Sequence, residues 1–182
     1  MFWGRLTYEK GFDLIIKWID KYKWSQIINN IYIDIYGEGQ YASDLQNLIA
    51  INKINNVKYY WRQTSESIKQ NIAKIHYALM PSRFIETFWL SALEACEAGK
   101  PLIGFAKWWL SQFVIPKLDI SSYDSDYWEF WQFEKCMMEV INNFDINIYT
   151  SYSHMSSKIA KNFTKKKRLQ KFEHIISSEK ND

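Results

Sequence analysis

The chain has 182 residues, 47% hydrophobic and 24% charged, which suits one domain with a well-buried core. A formal net charge of +3 is too small to mark a nucleic-acid binder, although it slightly favours anionic small ligands or an anionic membrane surface. Two cysteines, Cys96 and Cys136, offer no disulfide framework, and no stretch approaches the roughly 18–20 apolar residues of a membrane helix. The opening MFWGRLTYEK lacks the apolar region of a signal peptide, so a reducing, cytoplasmic setting is expected.

Apolar patterning alternates between short runs and longer amphipathic stretches. Residues 2–6 read as a strand, and 12–24 as a helix with Phe12, Ile15, Ile16 and Ile19 at helical spacing. Residues 31–36 are β-branched and aromatic and stop at Gly37-Glu38-Gly39, a strand running into a turn. A helix over 41–51 follows, then a strand over 57–61 and a helix over 65–73 capped by Thr64 or Ser65. Residues 76–80 form a strand ending at Pro81-Ser82, and 86–98 a largely apolar helix closed by Gly99 and Pro101. A short strand over 102–105 completes the alternation, and beyond about residue 119 helices remain at roughly 126–143, 151–163 and 166–177.

Such alternation predicts an α/β fold, a doubly wound parallel sheet of Rossmann-like type with extra C-terminal helices. The single domain of 1–182 divides into a core of about 1–120 and C-terminal helices of about 121–182. In such sheets ligands sit beyond the carboxyl ends of the strands, which directs attention to residues 37–39, 61–63, 81–86 and 105–109. The KKKR run at 165–168 reads as a solvated helix face, with peripheral membrane association as its alternative.

Three features carry chemistry. Glu86 closes a predicted strand, and Glu94 lies two turns into a helix whose neighbours are apolar or small. A half-buried carboxylate there needs donors, either ligand hydroxyls or a lysine or arginine elsewhere in the fold. Gly4-Arg5-Leu6 followed by Lys10-Gly11 places two cations at a strand-to-helix turn, where they and backbone N–H groups could cradle a diphosphate or simply face solvent. Gly37 and Gly39 permit close backbone approach. His76, His154 and His174 show no ligand spacing, and no metal is expected.

Together these segments resemble glycosyltransferase family 4, the large retaining family of GT-B fold. Its nucleotide-sugar domain opens with G-R-L-x-x-x-K-G, matched by Gly4, Arg5, Leu6, Lys10 and Gly11, and continues through G-x-G at Gly37 and Gly39. A P-S and E-T-F-G-L segment with a second glutamate eight positions on is matched by Pro81, Ser82, Glu86, Thr87, Phe88, Leu90 and Glu94. The closing G-x-P-[VL]-I-[AG] is matched by Gly99, Pro101, Leu102, Ile103 and Gly104. The likeness covers residues 2–115 and implies a donor-binding half-enzyme that uses a UDP- or GDP-sugar in cell-surface glycan synthesis.

The resemblance further implies that Arg5 and Lys10 meet the donor diphosphate, Glu86 the sugar hydroxyls and Glu94 the ribose. The base would lie near Tyr60, Trp61 and Arg62, and backbone N–H groups of Phe88, Trp89 and Leu90 would face the phosphates. The acceptor-binding first domain is absent from the chain, so a partner chain or missing domain is implied. A non-catalytic nucleotide-sugar-binding module or inactive fragment is the alternative.

The chain departs from the family where glycine is usual. Trp61, Trp89, Trp108 and Trp109 occupy such positions, within a composition of nine Trp and only six Gly. An aromatic-walled pocket is one reading. UGA codons meaning glycine but translated as tryptophan are the other, and they account for the excess and the deficit together.

Overall fold

A computed structural model describes residues 1–83, 90–122 and 129–163. Strands β1 (Phe2–Trp3), β2 (Ile33–Tyr36) and β3 (Val57–Tyr60) pair in parallel, as do β4 (Ala78–Met80), β5 (Leu102–Gly104) and β6 (Val114–Asp119). The two ladders meet where β1 lies beside β4. The Leu79 N–H donates to the Met1 carbonyl at 2.8 Å, and the Met1 nitrogen donates to the Tyr77 carbonyl at 3.0 Å. The strand order is therefore 3-2-1-4-5-6. Its direction of winding reverses between β1 and β4, and that crevice is where a doubly wound sheet receives ligands.

Helices α1 (Phe12–Tyr22), α2 (Gln26–Asn29), α3 (Ala42–Asn52), α4 (Ser65–Ile72) and α5 (Leu90–Glu97) connect the strands. Of the expected α1 stripe Phe12, Ile15 and Ile19 are buried, Ile16 is only half-buried, and Trp18 and Leu14 complete the buried face. Of the two caps foreseen for α4, Thr64 is used, its hydroxyl accepting from the Ser67 N–H at 3.2 Å. Helices α6 (Glu129–Asn142) and α7 (Ile146–Lys161) follow the core, α6 packing on α1 and α7 on α5. The expected helix over 166–177 and the KKKR run lie outside the described residues.

Helix α2 went unread, α7 starts at Ile146 rather than near 151, and two strands also differ from the sequence reading. β6 went unread because Pro116 interrupts its pattern, but β6 lies at the end of the sheet, where a missing N–H breaks no ladder. A register shift against β5 takes up the irregularity, and Pro116 and Lys117 stay exposed. The first strand ends early as a regular element. Its pairing nevertheless runs on irregularly, with Gly4 N–H donating to the Tyr36 carbonyl at 3.0 Å and Leu6 N–H to Glu38 at 2.8 Å.

The core is contiguous across both halves of the sheet. Trp18, Phe12, Phe105, Phe133 and Leu6 are among its fully buried members. Each such side chain contributes about 1.5–3 kcal/mol of burial, which holds the strand ends in fixed relation.

Candidate functional site

At the carboxyl end of the sheet the loops after β1 and β2 are zipped together. Gly37 has φ +136°, and a Cβ there would lie 1.9 Å from the Gly4 carbonyl oxygen. A Cβ on Gly39 would likewise lie 2.4 Å from the Leu6 carbonyl oxygen. The close approach these glycines make is thus of one loop to another, and it fixes the position of Arg5. The Gly37 N–H donates to the Tyr60 carbonyl at 3.1 Å, and the Tyr59 hydroxyl donates to the Gly37 carbonyl at 3.0 Å, so β3 joins the same assembly.

The two sequence-predicted cations come together on the turn between β1 and α1. Arg5 is exposed and Lys10 is half-buried within a single 3-10 turn, Tyr8–Lys10. Burial, and secondarily the neighbouring Arg5 charge, pushes the Lys10 ammonium down to about 8.

From the other side of the crevice α5 presents Glu94. Its carboxylate is half-buried and accepts a 3.4 Å hydrogen bond from the Trp3 indole N–H, while Ala92, Leu93, Ala95 and Cys96 take the helix's buried face. The sequence reading offered ligand hydroxyls or a lysine or arginine as donors, whereas the donor present is the Trp3 indole on β1. Leu90 opens α5 and is exposed. Glu86, Thr87, Phe88 and Trp89 lie outside the described residues, so their expected roles stand on sequence alone.

Beyond β3, Tyr60 stacks on Tyr36 with ring centroids 4.6 Å apart and planes 10° from parallel. Trp61 is 57% exposed, leans on Tyr59 at 5.9 Å, and is followed by an exposed Arg62. This leaves an accessible aromatic face at the rim. Burial, then the Asp34 charge, raises the Tyr36 phenol to about 12, so it stays protonated.

Among the described residues Lys53 is the only non-glycine with positive φ. Trp61, Trp108 and Trp109 therefore occupy backbone that any L-residue adopts, and no glycine-only conformation is demanded there.

Ser82 is buried, and its hydroxyl donates to the Glu9 carbonyl at 3.2 Å. Pro81 presses against Gly11, where a Cβ would lie 1.9 Å from the proline carbonyl oxygen. Next to them stands a cluster that sequence reasoning missed. The Arg83 guanidinium grips Asp13 with two bonds of 2.6 and 3.0 Å, donates to the Tyr8 carbonyl at 2.6 Å, pairs with Glu129 and lies 4.0 Å from the Tyr8 ring centre. These two carboxylates hold its pKa above the ordinary arginine value despite burial. The available signal was Asp13 itself, a carboxylate inside the apolar stripe of α1.

Among the described residues no group of three or more His, Cys, Asp or Glu could hold a metal, and no helix is long and apolar enough to cross a membrane. The Trp3 indole ties Glu94 to the strand that leads into the turn of Arg5 and Lys10.

Comparison with known proteins agrees with this fold. The chain is 27% identical over 178 residues to the GtfA subunit of a UDP-N-acetylglucosamine–peptide N-acetylglucosaminyltransferase from Limosilactobacillus reuteri subsp. suis, covering 95% of this chain and 33% of that protein. It thus spans about a third of the curated relatives it matches. Its fold is that of the pneumococcal O-GlcNAc transferase GtfA, crystallised with UDP and GlcNAc, at TM-score 0.75 and 22% identity over 100% of this chain and 35% of that one. HepE from Anabaena, solved with UDP-glucose, is similar at TM-score 0.72 and 18% identity over 97% and 48% of the respective chains. These neighbours fit the C-terminal half of a GT-B fold. Residues 1–117 match the family model for glycosyl transferases group 1, and the chain belongs to that family.

Proposed function

We propose that this chain is the donor-binding half of a retaining glycosyltransferase that takes a UDP-sugar, with UDP-N-acetylglucosamine the first to test, for transfer in cell-surface glycan synthesis. The observation that supports the reading is the hydrogen bond from the Trp3 indole to Glu94, which ties that carboxylate to the strand leading into the turn of Arg5 and Lys10. In this reading the two cations bind the diphosphate and offset charge on the departing nucleotide, which is electrostatic stabilisation of a leaving group. Glu94 takes the ribose hydroxyls, Glu86 the sugar, and the base lies near Tyr60, Trp61 and Arg62. Lys10 and Arg5 provide the positive charge that a metal would otherwise supply. The UDP named for relatives narrows the choice between UDP and GDP.

The acceptor site belongs to a first domain or partner chain, and transfer needs it. Calorimetric titration of the 182-residue chain with UDP tests binding, and addition of a complementing first domain tests turnover. Binding with turnover supports the enzyme, and binding with no turnover in any combination supports a non-catalytic module. Absence of UDP and GDP binding removes the reading.

We also propose that codons 61, 89, 108 and 109 are UGA and are read as glycine. The family pattern and the composition support this, and the unstrained backbone at 61, 108 and 109 accepts either residue. UGG at those codons disproves it.

A further inference from the structure

The segment leaving β4 grips the cation-bearing turn on both sides of Lys10. On the N-terminal side, the Glu9 carbonyl accepts from the Arg83 N–H at 2.9 Å and from the Ser82 hydroxyl at 3.2 Å. The Tyr8 carbonyl accepts from the Arg83 guanidinium at 2.6 Å. On the C-terminal side, Gly11 is seated against Pro81, and Asp13 takes the guanidinium fork at 2.6 and 3.0 Å. Tyr8 covers the guanidinium face, and Glu129 at the start of α6 closes the remaining edge. Asp13 is only 5% exposed, so this is a nearly dry, bidentate charge pair, the strong kind. Arg83 also stands three residues before Glu86 in the chain.

We propose that Arg83 is a positioning residue: through Asp13, Tyr8 and Glu129 it fixes the turn that carries Lys10 against the exit of β4, and so holds the cation where the diphosphate is bound. This rests on the donor-binding reading above. A surface ion pair would contribute little, but this fork joins three elements that are distant in sequence. Its loss frees the turn that carries Lys10 while removing no group that touches the ligand. Lysine cannot replace it, since a single ammonium cannot hold Asp13 with two bonds and reach Tyr8 and Glu129 together.

The test is a double-mutant cycle on UDP affinity in the full chain, with thermal melts to confirm folding. Lys10→Met should raise the Kd on the order of tenfold or more. Arg83→Lys should raise it on the order of tenfold although the charge is kept. The double variant should bind no more weakly than Lys10→Met, because nothing is left to position. A purely structural role would lower the melting temperature while leaving the affinity of the folded molecule unchanged, or would multiply with the Lys10 effect, and either outcome overturns the proposal. If Arg83→Lys does not fold, Glu129→Gln removes one arm at a partly exposed carboxylate, and an unchanged Kd there also overturns it. A parent chain that binds no UDP, or a Lys10→Met that binds normally, removes the donor-site reading and the positioning role with it. Dependence on Lys10 without dependence on Arg83 removes the positioning role alone.

Discussion

At Lys10 charge and burial are opposed. An unfolded lysine keeps its proton to about 10.5, whereas in the fold burial and then Arg5 bring Lys10 to about 8. Below 8 both states are charged and the buried ammonium opposes folding. Between 8 and 10.5 the unfolded chain binds more protons, so stability rises with pH across that window. Urea titrations should show the parent gaining stability on Lys10→Met through that range, and a flat difference would contradict the burial argument. Under the proposed function UDP affinity should move the other way, weakening as pH rises past about 8 and the ammonium is lost.

Gly37 gives a second prediction. With φ +136° and the Gly4 carbonyl oxygen 1.9 Å from a would-be Cβ, Gly37→Ala must displace one loop or the other. Strain and overpacking together should lower stability by about 2–4 kcal/mol, read as a lower urea midpoint with unchanged slope.

At the scale of elements, helix ends are set by their caps, and α7 starts at Ile146 rather than at the 151 expected from sequence. Asp145 caps α7, its carboxylate accepting from the Asn147 and Ile148 N–H groups at 2.8 and 3.1 Å. Asp145→Ala should cost about 1 kcal/mol by denaturant titration, with a larger loss for the α7 amides in hydrogen exchange if the helix frays first. Helix α7 packs on α5, and Gly99 lies against Ser153 and Ser157, so that fraying would also loosen the helix that carries Glu94. Two elements were hidden from sequence for different reasons. β6 tolerates Pro116 only because it is an edge strand, and α2 is a single short turn of helix.

For the whole molecule, the proposed chemistry makes a prediction about metals. If Arg5 and Lys10 supply the charge that stabilises a leaving nucleotide, then UDP binding, and turnover with a complementing first domain, should be unaffected by excess EDTA. Loss of either on chelation, with recovery on adding a divalent ion, would transfer that role to a metal.

The sequence by itself determined the alternation of strands and helices, the buried stripe of α1 and the motif positions at Gly4–Gly11, Gly37–Gly39 and Pro81–Glu94. These are readable because helical and strand periodicities, glycines and caps act within a few residues of one another. Only the tertiary structure decided that β1 lies beside β4, that the Trp3 indole reaches Glu94, and that Arg83 closes on Asp13, Tyr8 and Glu129 around Lys10. The Trp3–Glu94 partners stand 91 residues apart and Arg83 and Asp13 70, so no local pattern records them. They meet because burial of the apolar strands and helices fixes where the strand ends stop, and the polar groups left at those ends must then find one another.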